Sequence, residues 1–242
     1  AGDLTNFIHL ISISHFLFRF LSRYPDAIML LRVDLALDIN RLAAEADIHT
    51  LRLYKYQELL KITWMDLYGK HDYRQVLRHL SQLADNVITR CLQLVSVRDR
   101  YPTHCNSLIP FCVFAMGKLG ACELNYSSDV DLIFVCADDV HQDVHAYQEG
   151  VTDQIRKFNQ AMEESTEDGF LYRVDLKLRP LGRSGPLVLS VDQTEHYYEA
   201  STEAWERFAW LRARILAGDP AVGEDLLARL QPFIYLRSLG SD

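Results

Sequence analysis

The chain has 242 residues and a formal net charge of −8 at pH 7, with 49% hydrophobic and 24% charged residues. This length and composition are typical of a globular protein with one or two domains and a sizeable buried core. The negative charge argues against a general nucleic-acid-binding protein, and no apolar segment is long enough and free enough of charge to span a bilayer. We therefore expect neither nucleic acid nor a membrane as a partner.

The chain contains five cysteines, and no two of them have the CxxC spacing of a zinc or redox site. An odd number of cysteines without paired spacing is typical of free thiols in a reducing compartment. This pattern predicts a cytoplasmic protein. Because the chain begins at Ala1 instead of a methionine, we also expect it to be a piece of a longer protein.

The first part of the chain has the apolar spacing of helices. From Asp72 to Val97, apolar residues recur at every third or fourth position. Gly69 is placed to end one helix, and Asp72 to cap the next. The apolar segment 7–21 predicts a further, buried helix. We expect residues 1–104 to form a helical N-terminal region.

Strand patterns follow in the middle of the chain. Two apolar runs, 111–116 and 130–137, predict buried strands, and 170–178 predicts a strand in which apolar and charged residues alternate. A helix is predicted between them, over 141–164. These elements predict a small mixed sheet with a helix as the core of the protein, over residues 105–192.

Helical spacing returns in the last part of the chain. Trp205, Phe208 and Leu211 recur at every third position and predict the core-facing side of a helix. The Asp-Pro pair at 219–220 is a start signal for a last helix. We expect residues 193–242 to form C-terminal helices that pack on the core, and the whole chain to have an α+β fold.

Three aspartates predict a metal site. Asp129 and Asp131 are two residues apart at the start of a strand and therefore point to the same side of the sheet. Asp175 lies on the charged face of the 170–178 strand, and the three carboxylates converge if that strand neighbours the 130–137 strand. Such hard oxygen ligands suit two Mg²⁺ or Mn²⁺ ions, which assist phosphoryl or nucleotidyl transfer. An acidic pair alone is more often a solvated surface, so the third aspartate carries the prediction that all three are catalytic metal ligands.

Basic and small residues around these aspartates are suited to phosphate. Glycine lets the backbone approach a ligand, lysine and arginine supply positive charge, and serine supplies hydroxyl groups. Four of the eleven residues from Arg173 to Arg183 are basic, although such a run is also common on a solvated edge strand. The residues predicted to bind a nucleotide are Gly117, Lys118, Ser127, Ser128, Lys177 and Arg179.

Three segments that carry these residues resemble one known family. They are AMGKLGACELNYSSDVDLIFV at 115–135, GFLYRVDLKLRPLGRSGPLVLS at 169–190 and EAWERFAWLRARILAGD at 203–219. In this order they are similar to the motifs of glutamine synthetase adenylyltransferase, a two-headed enzyme that adds AMP to glutamine synthetase and removes it. The resemblance implies a nucleotidyltransferase core of the polymerase-beta-like type with flanking helical bundles.

The resemblance also favours one of the two heads. GRSGPLV at 182–188 and PFIY at 232–235 look more like the N-terminal, adenylyl-removing head. This head would use phosphate to release ADP from an adenylylated tyrosine of glutamine synthetase, with two Mg²⁺ or Mn²⁺ ions on the three aspartates. The implied partners are adenylylated glutamine synthetase, phosphate, ADP or ATP and, in the full-length enzyme, the PII signal protein.

Two other functions stay open at this point. One is the adenylylating head, which uses ATP and releases pyrophosphate. The other is a regulatory module that binds a nucleotide or a PII-type signal protein without turnover. The chain also departs from the family at Ala121-Cys122, where the family usually has two glycines, and this departure lies next to the expected phosphate-binding turn.

Overall fold

The computed structural model describes residues 2–32, 37, 42, 46–69, 71–98, 110–138, 144–200 and 203–235. The helices are α1 Gly2–Ile13, α2 His15–Arg23, α3 Ile48–Leu67, α4 Tyr73–Arg98, α5 Gly117–Gly120, α6 Val144–Glu163, α7 Val191–Ala200, α8 Ala204–Trp210 and α9 Pro220–Ile234. The strands are β1 Phe111–Ala115, β2 Val130–Cys136, β3 Val174–Asp175, β4 Val188–Ser190 and β5 Arg214–Gly218. Two 3-10 helices cover Pro25–Arg32 and Gly182–Ser184. The expected α+β class is confirmed, whereas the predicted domain boundary at residues 104 and 105 lies outside the described residues.

The sheet has the strand order β3–β2–β1–β5, and β4 also pairs with β2. β1 runs antiparallel to β2 and β5, whereas β3 and β4 run parallel to β2. β3 pairs with the start of β2 and β4 with its end, so these two short strands share one edge of β2. The strand that carries Asp175 is therefore a direct neighbour of the strand that carries Asp131.

Helices cover both faces of the sheet. Val113 and Leu132 pack with α3, α4 and α6 on one face, whereas Phe114 and Ile133 pack with α7, α8 and α9 on the other. A strand that is covered on both sides has no solvent face, which explains the continuous apolar sequence of β1 and β2. The two predicted buried strands are thus confirmed, each ending one residue earlier than predicted.

The N-terminal helices form a separate apolar core. Leu10 of α1 and Leu17 of α2 pack with Leu60 of α3. The segment 7–21, predicted as one helix, is two helices that separate at Ser14. The Ser14 side chain accepts a hydrogen bond from the backbone N–H of Leu17 at 3.2 Å and so caps α2.

The predicted strand over 170–178 is wrong except at the two residues of β3. Before β3, the backbone N–H of Leu171 donates to the carbonyl oxygen of Met162 at the end of α6, at 3.0 Å. After β3, the backbone N–H of Lys177 donates to Oδ1 of Asp175 at 2.9 Å. This local turn of the Asx type ends the strand, because it uses the backbone donor that a longer strand would need.

The C-terminal part differs from the prediction at α8. Trp205, Phe208 and Leu211 are expected in the core, yet they are 51%, 67% and 49% exposed. Trp210 is the large apolar residue of α8 that is buried instead, and its ring lies 5.2 Å from that of Phe114 between centroids. Since Trp210 fixes which side of α8 faces the sheet, the predicted stripe faces solvent.

Strand β5 is not predicted by the sequence. Its five residues are partly exposed or exposed, and they show neither a continuous apolar run nor a regular alternation. The segment predicted as C-terminal helices therefore also contributes a strand to the sheet, beside β1. No helix within the described ranges combines the length and the apolar composition needed to cross a membrane.

Candidate active site

The three predicted aspartates lie together where β2 and β3 begin to pair. Asp131 stands opposite Asp175 in the parallel register of the two strands, and Asp129 immediately precedes β2. The backbone N–H of Val130 donates to the carbonyl oxygen of Arg173 at 2.9 Å and extends the pairing by one residue. The relative position of the carboxylates thus depends on a pairing that is only a few residues long.

Gly117 brings the turn after β1 against the central aspartate. It has a φ of +53°, and a Cβ atom at this position would lie 2.6 Å from Oδ2 of Asp131. Glycine alone combines the left-handed backbone with the absence of that atom. The backbone N–H of Met116 also donates to the carbonyl oxygen of Asp131 at 2.9 Å, so the turn contacts both the main chain and the side chain of this residue.

The environment of Asp131 disfavours its ionised form. Burial raises the pKa of its carboxyl group, and the negative charges of Asp175 and Asp129 raise it further. The positive charges of Lys177 and Lys118 act in the opposite direction but do not cancel the increase. A divalent cation next to Asp131 would oppose both causes of the increase, so the electrostatics of this position suit a metal ion.

The two outer aspartates are paired with cations. Asp129 accepts a hydrogen bond from Nε of Arg173 at 2.5 Å, and Asp175 forms an ion pair with the ammonium group of Lys177. Burial would raise the pKa of Asp175, but the hydrogen bonds from Lys177 and the charges of Lys177 and Arg183 outweigh it. The pKa of Asp175 therefore lies below its usual value, whereas that of Asp131 lies above it.

The other residues predicted to bind a nucleotide take different positions. Lys118, Ser127 and Lys177 are exposed, and the charges of both lysines reach Asp131. Ser128 is partly buried, and its hydroxyl group donates to Oδ1 of Asn125 at 2.6 Å. With Gly117, these residues border the aspartates and leave positive charge and hydroxyl groups near them.

Arg179 is used differently. Its guanidinium group donates to main-chain carbonyl oxygens at distances of 2.7–3.3 Å, and these belong to Leu176, Arg183, Gly185 and Pro186. These bonds hold together the loop that follows β3. They use the same donors that a direct contact with phosphate would need, so the structure places Arg179 as a support of this loop.

The chemistry of the three aspartates suits a divalent metal ion, but the side chains of the two outer aspartates are paired with cations. Carboxylate oxygens are preferred ligands of Mg²⁺ and Mn²⁺. Within the part of the chain that the structure describes, no three His, Cys, Asp or Glu side chains are arranged to hold a metal ion. Two of the three site carboxylates are engaged in ion pairs, Asp129 with Arg173 and Asp175 with Lys177. A metal ion that took both oxygens of these two carboxylates would displace Arg173 and Lys177.

Two residues of the site are missed by the sequence analysis. Arg173 links Asp129 to the carbonyl oxygen of Ser127, at 3.1 Å from the latter, and Glu163 accepts a hydrogen bond from the backbone N–H of Val174 at 2.9 Å. Arg173 could have been predicted as a site residue, since it lies two residues before Asp175 in a basic run. Glu163 could not, because nothing in the sequence relates the end of a helix to the free edge of a two-residue strand.

Comparisons with known proteins point to one family. The family model described as glutamate-ammonia ligase adenylyltransferase matches residues 4–229. Three similar curated proteins are all named bifunctional glutamine synthetase adenylyltransferase/adenylyl-removing enzyme. The protein of Nitrosococcus oceani is 38% identical over 216 residues, which cover 85% of this chain and 22% of the relative. That of Methylococcus capsulatus is 36% identical over 228 residues (90% and 23%), and that of Pseudomonas aeruginosa is 38% identical over 202 residues (78% and 20%). The chain spans about a fifth of the length of the curated relatives it matches.

Proposed function

The chain belongs to the glutamate-ammonia ligase adenylyltransferase family, and we propose that it is the adenylyl-removing domain of such an enzyme, with a polymerase-beta-like nucleotidyltransferase core. In this proposal it catalyses the phosphorolysis of an AMP group on a tyrosine of glutamine synthetase. The observation that carries the proposal is the pairing of Asp131 with Asp175 on neighbouring parallel strands, beside Asp129. Carboxylates and cations gathered at one strand end match the needs of a nucleotidyl transfer, in which charge develops on phosphate oxygens.

The three aspartates are the proposed ligands of the metal. Asp129, Asp131 and Asp175 would hold two Mg²⁺ or Mn²⁺ ions. When bound, these ions would neutralise charge on the attacking and leaving oxygens. The raised pKa of Asp131, caused by burial and by the other two carboxylates, supports this assignment. Arg173 and Lys177 lose their carboxylate partners in this state and become available to bind phosphate oxygens.

The proposed reaction transfers the AMP group from tyrosine to phosphate. An oxygen of hydrogen phosphate forms a bond to the phosphorus of the AMP group, and the bond from that phosphorus to the tyrosine oxygen breaks. The tyrosine oxygen takes the proton of the hydrogen phosphate, so that ADP and an unmodified tyrosine are the products. Lys118, Ser127 and Ser128 contribute contacts to phosphate oxygens, and Gly117 lets the backbone of its turn approach them. Arg179 acts one step away, by supporting the loop after Asp175.

The direction of the reaction rests on two segments. Residues 182–188 and 232–235 resemble the adenylyl-removing head, which supports removal over addition. The alternative is ATP-dependent adenylylation, and the names of the relatives include both activities. In the longer protein we place this domain in the cytoplasm, with adenylylated glutamine synthetase as its substrate and the PII signal protein as its regulator.

The direct test measures ADP release from adenylylated glutamine synthetase with Mg²⁺, in the presence and absence of phosphate. We expect phosphate-dependent ADP release that is lost in Asp129→Asn and in Asp175→Asn, with the circular dichroism of both variants unchanged. Asp153→Asn is the matched control, because Asp153 is a half-exposed carboxylate on α6 that pairs with Arg156. Normal turnover by either site variant would contradict the metal assignment. Formation of pyrophosphate from ATP and unmodified glutamine synthetase, without ADP release, would support the alternative.

A further inference from the structure

The position of Asp175 depends on what holds the chain before it. β3 has only two residues, whereas an average strand has about five or six. So short a pairing does not fix its own register or stability. The segment that leads into β3, residues 168–172, runs along α3, and its contacts with that helix are therefore candidates for positioning the site.

Tyr56 of α3 binds both backbone groups of Phe170. Its hydroxyl group donates to the carbonyl oxygen of Phe170 at 2.6 Å and accepts a hydrogen bond from the backbone N–H of the same residue at 3.0 Å. Gly169 makes room for this contact, because a Cβ atom there would lie 2.4 Å from the hydroxyl oxygen. Tyr56 is only 4% exposed. The hydroxyl group thus makes the two backbone hydrogen bonds with Phe170 that a neighbouring strand would make.

Lys55 of α3 also binds the backbone of Phe170, and that of the next residue, Leu171. Its ammonium group donates to the carbonyl oxygen of Phe170 at 3.2 Å and to that of Leu171. It also lies 4.5 Å from the ring centroid of Tyr56 and 4.4 Å from that of Tyr172. All of these partners are uncharged, and cation–π contacts of this kind add modest stabilisation.

The burial of Lys55 is unfavourable in itself. Removal from water lowers the pKa of its ammonium group to about 7, with a smaller effect of the positive charge of Arg52. A methionine of similar length would fill the same space without burying a charge. What the lysine adds is a pair of hydrogen bonds to the carbonyl oxygens of Phe170 and Leu171.

The same segment is also held at Asp168, two residues before Phe170. Asp168 accepts a hydrogen bond from the hydroxyl group of Tyr24 at 2.9 Å and pairs with Arg23 at 3.0 Å. His49 of α3 lies 3.4 Å from the other oxygen of Asp168. Residues of the N-terminal helices therefore contact the side chain of Asp168 and the backbone groups of Phe170 and Leu171, and the backbone contacts come from Lys55 and Tyr56.

We infer that Lys55 and Tyr56 are positioning residues, which hold Phe170 and Leu171 so that Asp175 is placed opposite Asp131. The consequence for catalysis rests on the proposed function. The consequence for β3 does not, because the pairing of β2 with β3 is a property of the folded chain and can be measured without substrate or metal.

The test compares Tyr56→Phe and Lys55→Met with Tyr54→Phe in the 242-residue chain. Tyr54 is the matched control: it is a buried tyrosine of the same helix, and its hydroxyl group contacts Asn86 of α4 at 3.3 Å. Hydrogen exchange is followed by NMR at individual backbone amides without metal. The reporter is the N–H of Val130, which donates to Arg173 and therefore opens when β3 separates from β2.

We expect exchange at Val130 to be about tenfold faster in Tyr56→Phe and in Lys55→Met, as the loss of one or two buried hydrogen bonds predicts. Exchange at Val113, in the centre of the sheet, follows global unfolding and therefore measures the overall stability of each variant, against which the change at Val130 is read. Unchanged exchange at Val130 in Tyr56→Phe, or an equal increase in Tyr54→Phe, would overturn the inference. Tyr56→Phe removes a single oxygen atom, so the comparison does not depend on whether Lys55→Met folds.

The catalytic consequence is measured with the phosphorolysis assay. We expect kcat to fall about tenfold in Tyr56→Phe, because Asp175 is then held less firmly opposite Asp131. The KM for phosphate should change less, because Lys118, Ser127 and Ser128 lie on other segments than Asp175. An unchanged kcat together with faster exchange at Val130 would overturn the link to catalysis. A parent chain without phosphorolysis whose variants still show the tenfold exchange effect would count against the proposed function and in favour of the positioning role.

Discussion

Gly117→Ala should lower activity strongly at a small cost in stability. The φ of Gly117 is +53°, and a left-handed backbone costs an L-residue about 1–2 kcal/mol. The new Cβ atom would lie 2.6 Å from Oδ2 of Asp131, so this oxygen must move by about 0.8 Å to reach the 3.4 Å at which ordinary contact begins. A displacement of about 1 Å at a reacting group lowers rates by about 100-fold. We therefore expect a loss of about 1–2 kcal/mol in stability and about 100-fold in kcat for phosphorolysis.

Gly69→Ala is the matched control for this prediction. Gly69 has a similar φ of +66°, but among the described residues, its chain neighbours apart, no atom lies within 4 Å of the position of its Cβ. Both variants should lose a similar free energy of unfolding in urea, because both place alanine in a left-handed conformation. Only Gly117→Ala should lose activity, since only its methyl group meets a site carboxylate. Activity of Gly117→Ala close to that of Gly69→Ala would refute the reasoning that the turn at Gly117 sets the position of Asp131.

Three further predictions follow from charged residues inside and outside the site. Asp131→Asn should raise the melting temperature at pH 7, because the pKa of this carboxyl group is raised by folding and its ionisation therefore opposes folding. The gain should shrink as the pH falls through the raised pKa and disappear below the ordinary pKa of an aspartate, and activity should be absent at every pH. Asp85→Ala should lower the free energy of unfolding in urea by about 2–3 kcal/mol, because it leaves Arg214 without the carboxylate that it meets at 2.7 and 2.8 Å. Arg214→Met in the same chain should recover part of this loss. No recovery would mean that the ion pair is not the cause. Arg179→Met should lower kcat and leave the KM for phosphate unchanged, because its donors support a loop; a raised KM would instead indicate direct contact with phosphate.

The sequence predicted the centre of the sheet because local signals there agree with the tertiary structure. β1 and β2 are covered on both faces, so their apolar runs are continuous and easy to recognise. The facing of Asp131 and Asp175 could be predicted only conditionally, since it required two strands to be neighbours. The structure meets that condition through a pairing of two residues, which is too short to leave an alternating pattern of its own.

The contacts that hold β3 could not be predicted from local patterns. Tyr56 and Phe170 are 114 residues apart in the chain, and a helical tyrosine in an apolar stripe has the same signal whether or not its hydroxyl group binds a distant backbone. The same limit explains the error at α8. Spacing identifies which residues share a side of a helix, but the side that faces the core was decided by Trp210 and its contact with Phe114.

The charges of the site explain how three carboxylates are tolerated near one another in the folded chain. Arg173 and Lys177 each neutralise one outer aspartate, and the unfavourable electrostatics are concentrated on Asp131, whose pKa is raised. In the proposed reaction the same groups exchange partners: the carboxylates bind metal ions and the two cations bind phosphate. Because each exchange breaks the same ion pairs, binding of metal should strengthen binding of phosphate, and linkage requires the reverse effect to be equally large. In the proposed reaction the ion pairs around Asp129 and Asp175 would therefore couple the binding of metal to the binding of phosphate.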